Sequence, residues 1–184
     1  ALVDAAIWDD AGGLLASSDG ADGAVLFACG KGKVRVDLGT RGRPGPFALL
    51  ARPERWKDPV LAAHPLAAGR MLARSAGPGS APHEGKPGVV RHAVLEAARR
   101  FTHDANLPAG QCLRLAAGVE GEGTGLELRL FDAVSGEELD RSHGQFSAAV
   151  RACAPAATAR SLRAEARATA GKLDAVIGER LVGN

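Results

Sequence analysis

The sequence predicts an α+β fold, a mainly antiparallel sheet with two helices packed on one side. Three stretches carry that prediction. Residues 112–141 alternate apolar and polar side chains between glycine-rich turns, as a half-buried antiparallel meander does. Val90, Val94, Ala98, Phe101 and Ala105 recur at the spacing of one helix face. From Ala156 onward the chain is rich in alanine, and Leu162, Ala166, Leu173, Ile177 and Leu181 keep near-helical spacing.

The elements follow in order. Ala5 to Trp8, then Asp9 to Gly13, then Leu14 to Ala16 read as strand, turn and strand. Ala24 to Cys29 is a short apolar run. Gly30 to Gly32 reverse it into 33–38, where Val34, Val36 and Leu38 alternate with Lys33, Arg35 and Asp37, so 24–38 reads as a hairpin. Residues 41–46 hold Pro44, Pro46, Gly42 and Gly45 and must be a loop. Phe47 to Ala51 returns as a strand, and Pro53 to Pro59 is an interruption carrying Trp56. Leu66 to Ala73 fits a strand or a helical turn equally. Residues 76–88, with Gly77, Pro78, Gly79, Pro82, Gly85, Pro87 and Gly88, form a mobile loop. The helix over about 90–105 follows and stops near Asn106 and Pro108. In the meander Leu113 and Leu115 flank Arg114, residues 118–125 supply glycines for a hairpin loop, Leu126, Leu128 and Leu130 flank Glu127 and Arg129, and Asp132 to Gly136 turns again. Gln145 to Cys153 reads as a short helix ended by Pro155, and a carboxy-terminal helix closes the chain.

The expected organisation is a single domain over 1–184, with a strand-rich subdomain 1–75, the mobile loop 76–88 and a helix–meander–helix unit 89–184. The 184 residues suit one domain. With aromatics at 4% and no tyrosine, the core must rest on Leu, Val and Ala. No internal repeat is visible. No run approaches the roughly 18 apolar residues of a membrane-spanning helix, and the first residues show no signal-peptide pattern. Ala1 in place of an initiator Met fits a processed secreted chain, an excised soluble domain or simple removal of the Met.

Net charge is only +2, but it is segregated. Residues 31–57 carry eight basic against two acidic groups, 118–140 one against seven, and 141–184 seven against three. The segments can neutralise one another or present separate patches to partners. Arg41, Arg43, Arg52, Arg55 and Trp56 are the candidate partner-binding residues, and the four arginines are expected to be largely exposed.

No catalytic or cofactor motif stands out. Asp9 and Asp10 are neighbours on a strand end and point apart. Gly30-Lys31-Gly32-Lys33 lacks the rest of a phosphate loop. The five histidines are scattered. His83-Glu84 lacks the second histidine of a zinc-protease helix, and on one helix His92 and His103 would stand about 16 Å apart. No cofactor and no metal is expected. The three cysteines have no zinc spacing. In an oxidising compartment Cys112 and Cys153 should pair, because Cys112 opens the meander and Cys153 follows its last strand. Cys29 should remain a free thiol in its apolar strand. Three inert buried thiols are the alternative.

The order of helix, strand, glycine turn, a strand ending Phe131-Asp132, a Ser135-Gly136-Glu137 turn, an outgoing strand with Leu139 and a terminal helix resembles the closing half of the TolB amino-terminal-like and curli-secretion-lipoprotein-like periplasmic domains. That resemblance covers residues 88–184 and implies a cell-envelope accessory domain that binds other proteins and carries no catalytic residues. Residues 1–75 have no counterpart in it.

The functional expectation is therefore a non-catalytic exported domain, periplasmic or otherwise extracytoplasmic, that acts in envelope assembly or sensing by binding protein partners. It carries the expectation that no pocket gathers three titratable side chains. Two other readings stay open. One is a cytoplasmic nucleic-acid-binding or regulatory protein using the basic 31–57 segment. The other is an enzyme whose site is assembled from scattered residues.

Overall fold

The computed structural model describes residues 2–20, 26, 28, 32–41, 56–76, 88–120 and 125–183. Among them are eleven strands and two short helices: β1 (Leu2–Trp8), β2 (Leu14–Gly20), β3 (Arg35–Arg41), α1 (Pro59–Ala63), α2 (Pro65–Ala76), β4 (Val89–Glu96), β5 (Phe101–Leu107), β6 (Gln111–Val119), β7 (Leu126–Asp132), β8 (Glu138–Gly144), β9 (Ser147–Cys153), β10 (Arg160–Ala168) and β11 (Lys172–Gly183). They form three antiparallel sheets, ordered β2-β1-β3, β5-β10-β7-β8 and β4-β11-β6-β9.

The fold is mainly β, which corrects the α+β expectation. Neither expected helix exists. The 90–105 stretch is β4, a bend and β5, and the alanine-rich tail is β10 and β11, hinged at Gly171 with φ +60°. The short helix expected over 145–153 is β9. Alanine has high helix propensity, but here tertiary context wins. Val89, Arg91, Ala93 and Leu95 share one face of β4, and Leu162, Ala164, Ala166 and Ala168 share one face of β10, so a period of two underlies both stretches. Leu66 to Ala73, left open between strand and helix, lies in α2.

From β4 onward the chain alternates between two four-stranded sheets in the connectivity of an eight-stranded jelly roll. Their inner faces make one core. Leu95, Leu113, Leu115, Val150 and Ile177 of one sheet meet Leu126, Leu128, Leu130 and Leu162 of the other, with alanines in the intervening positions. Leucine opposite alanine lets the sheets interlock without aromatic side chains.

Helix α2 lies on the outer face of the β4-β11-β6-β9 sheet, with Ala67 and Met71 against Ala116 and Val176. It sits so close to β6 that a Cβ on Gly118 would collide with the Ala67 carbonyl oxygen. Glu120 caps its start, accepting the Leu66 and Ala67 N–H groups at 3.1 Å. Arg70, buried on α2, donates to the carbonyls of Val119 at 2.7 Å and Leu15 at 3.0 Å, which ties the amino-terminal sheet to the rest. Residues 77–87 of the expected mobile loop lie outside the described residues.

Candidate functional site

Strand alternation places Arg114 on the outer face of β6, since Leu113 and Leu115 beside it enter the core. The same rule turns Arg151 outward on β9 and Arg180 outward on β11. The register then makes Arg180, Arg114 and Arg151 direct neighbours across three strands. Like charges opposite one another destabilise a sheet, so the row needs compensation.

Part of it comes from α2. Arg114 Nε and Nη2 donate to the Arg74 carbonyl at 3.0 and 2.7 Å, at the helix end where the macrodipole is negative. Arg74 is thereby the fourth arginine of the group. Arg151 donates through Nη2 to Cys112 Sγ at 3.3 Å, and its backbone N–H donates to Asp140 Oδ2 at 2.8 Å. Burial, followed by the charges of Arg151, Arg180 and Arg74, lowers the Arg114 guanidinium below its ordinary range, and Asp140 alone opposes this. Four guanidinium groups against one carboxylate leave a positive excess, suited to a carboxylate, phosphate or sulfate group.

The next row on this face is the Cys112–Cys153 disulfide, with S–S 2.00 Å and Cα–Cα 3.9 Å. The two cysteines are register partners. Ala154 donates to Gln111 in the adjacent pair, so the bridge occupies a non-hydrogen-bonded site, where opposing residues come closest. The expected pairing is correct. The bond locks β6 to β9 beside the arginine row. Cys29 lies outside the described residues.

A second group of titratable side chains lines the open edge of the sandwich. Glu179 Oε1 lies 2.8 Å from His103 Nε2 and 3.3 Å from Arg91 Nη2, and those two nitrogens are 3.3 Å apart. All three line one cavity with Phe101 and Glu165, so the expectation that no pocket gathers three such groups is not met. The cavity volume is about 10 Å³, the room of one water molecule.

Arg41 ends β3, Trp56 is half-buried before α1, and Arg43, Arg52 and Arg55 lie outside the described residues. Much of the acidic meander is neutralised from the carboxy-terminal segment. Glu127 pairs with Arg167 and Arg141, Glu138 with Arg141 as well as Arg129, and Asp132 with Arg160. Among the described residues no group of three or more His, Cys, Asp or Glu side chains could hold a metal ion, and no helix is long and apolar enough to cross a membrane. The strand–turn–strand behind the periplasmic resemblance is present as β7 and β8, whereas the flanking segments are strands. Sequence reading missed the arginine row. Its one local signal was the alternation around Arg114, and register between distant strands supplies the rest.

No protein-family model matches the chain, and no curated protein is significantly similar to it.

Proposed function

We propose that the chain is an exported domain that binds protein partners, and that acidic groups of the partner seat on Arg74, Arg114, Arg151 and Arg180. The observation that carries this reading is the in-register row of three arginines across β11, β6 and β9. The Cys112–Cys153 bridge supports the exported setting, since disulfides persist in oxidising compartments. An accessory or sensing role in the cell envelope is the biological form of the proposal.

The test uses Arg151→Ala with Arg180→Ala, leaving Arg114 and Arg74 to hold α2. Binding of a polyglutamate peptide should weaken at least tenfold while the unfolding midpoint hardly moves, because Arg151 is exposed, Arg180 is half-buried, and both stand beside the like charge of Arg114. Unchanged binding overturns the proposal. Equally tight binding of duplex DNA, lost in the same variant, would replace the protein partner with a nucleic acid.

A second reading, an enzyme with a site built from scattered residues, is favoured by the convergence of Arg91, His103 and Glu179 on one cavity. An organic substrate would require the β4/β5 edge to open beyond the volume of one water. Chemical-shift changes at Phe101 and His103 on adding small-molecule fragments would advance this reading, and their absence would retire it.

A further inference from the structure

The amino-terminal sheet repeats part of the sandwich. The order β2-β1-β3 has the connectivity of β8-β7-β10. The β1/β2 register shifts between Ile7 and Trp8, and the β7/β8 register shifts at the equivalent place, between Leu130 and Phe131. In both hairpins an Asp follows the aromatic residue. Asp9 N donates to Gly13 O and Asp132 N to Glu137 O, each at 2.9 Å. The Asp9 carboxylate accepts the Gly13 N–H, and that of Asp132 accepts the Val134 and Ser135 N–H groups. Gly12 and Gly136 take φ +86° and +74° in the two turns.

The third strand repeats as well. Trp8 pairs with Arg35 and Phe131 with Arg163, and the guanidinium carbon lies 5.3 Å from the ring centroid in the first and 5.4 Å in the second. Arg35 then bridges to Asp37 as Arg163 does to Glu165. In sequence, Gly20, Ala28 and Cys29 are spaced as Gly144, Ala152 and Cys153 are. Shared topology, bulge, turn and ring contact make these two copies of one unit.

The copies differ in what covers them. Leu162, Ala164 and Ala166 of β10 are buried against the facing sheet. The equivalent Val34, Val36 and Leu38 are 52%, 38% and 39% exposed. β10 has β5 on its other side, whereas β3 has β1 alone among the described strands.

We infer that the β2-β1-β3 sheet belongs to another jelly roll arrayed in tandem with the one that β4 to β11 form. The edge of β3 and the Val34, Val36 and Leu38 face receive strands equivalent to β4, β5 and β6, and these come from polypeptide preceding Ala1 in the gene product. The cysteines set the distance. Cys153 is bridged to a β6 cysteine 41 positions earlier, so Cys29, which matches Cys153 in sequence spacing, should pair with a cysteine about 41 positions before itself.

The experiment compares the full gene product with the 184-residue chain by unreduced peptide mapping and hydrogen–deuterium exchange. In the full product, Cys29 should be linked to that upstream cysteine, and the β3 amides should exchange at least tenfold more slowly than in the shorter chain. Val36→Asp in the full product should abolish that slowing without changing the β10 amides. Equal β3 exchange in the two chains, a free Cys29, or a Cys29 bridge to a second molecule each overturn the inference.

Discussion

The hairpin and third strand of the amino-terminal sheet and those of the sandwich carry the same turn, bulge and arginine–ring contact, yet the third strand is buried in one copy and exposed in the other. Leu162 of β10 is fully buried, and Val34, at the matching position, is 52% exposed. The difference separates two layers of information. Strand alternation and turn chemistry suffice to write the three-strand unit. Burial comes from the sheet laid against it, and the arginine row, which needs β11, β6 and β9 together, exists only on that facing sheet.

The largest effect that would sharpen this contrast is loss of the Cys112–Cys153 bridge. It joins residues 41 positions apart, and the chain-entropy model gives about 4 kcal/mol for a loop of that size. Replacing both cysteines by serine should lower the sandwich's stability by about that amount in a denaturant titration. Exchange of the β1 and β2 amides should stay as it was. If those amides loosen together with the sandwich, the two regions form one cooperative unit and the contrast fails.

How much of this was legible in the sequence follows from the same separation. Strands β6, β7 and β8 and the Asp132 to Gly136 turn could be read because each depends on local alternation and turn residues, whereas the hairpin expected through 118–125 does not form, since β6 and β7 belong to different sheets; the Cys112–Cys153 pair followed from the order of the elements. The strands at 89–107 and 160–183 were not, since Val90, Val94 and Phe101 mimic a helical face and alanine satisfies either period. The arginine row and the repeated unit were hidden for a different reason. Both depend on cross-strand register, and the two copies share few residues beyond Asp9 and Asp132, Arg35 and Arg163, and the turn glycines.

A matched pair of truncations measures the facing sheet directly. Leu162→Ala removes a fully buried side chain and should cost about 2–5 kcal/mol. Val34→Ala, at the equivalent exposed position, should cost no more than about 0.5 kcal/mol. Similar costs, read from the two variants' denaturation curves, would mean that the Val34 face is already covered in the 184-residue chain.

The smallest effect concerns the repeated aspartate turn. The Ser135 N–H, then the Val134 N–H and Arg160 hold the Asp132 carboxyl below the usual carboxylate range. A carboxyl lowered in the folded state stabilises fully above its unfolded value, about 3.9, and loses that contribution as pH falls through the lower folded value. Asp132→Asn keeps an oxygen to accept the turn N–H groups but removes the charge. The variant should therefore melt slightly below the wild type at pH 6, and the gap should close as the pH is taken down through the folded Asp132 value. The matching change in the other copy, Asp9→Asn, should leave the sandwich melting point unmoved at every pH, because among the described residues Asp9 bonds within the amino-terminal hairpin. A gap for Asp132→Asn that persists unchanged in acid would mean that the turn is held by its hydrogen-bond geometry and not by its charge.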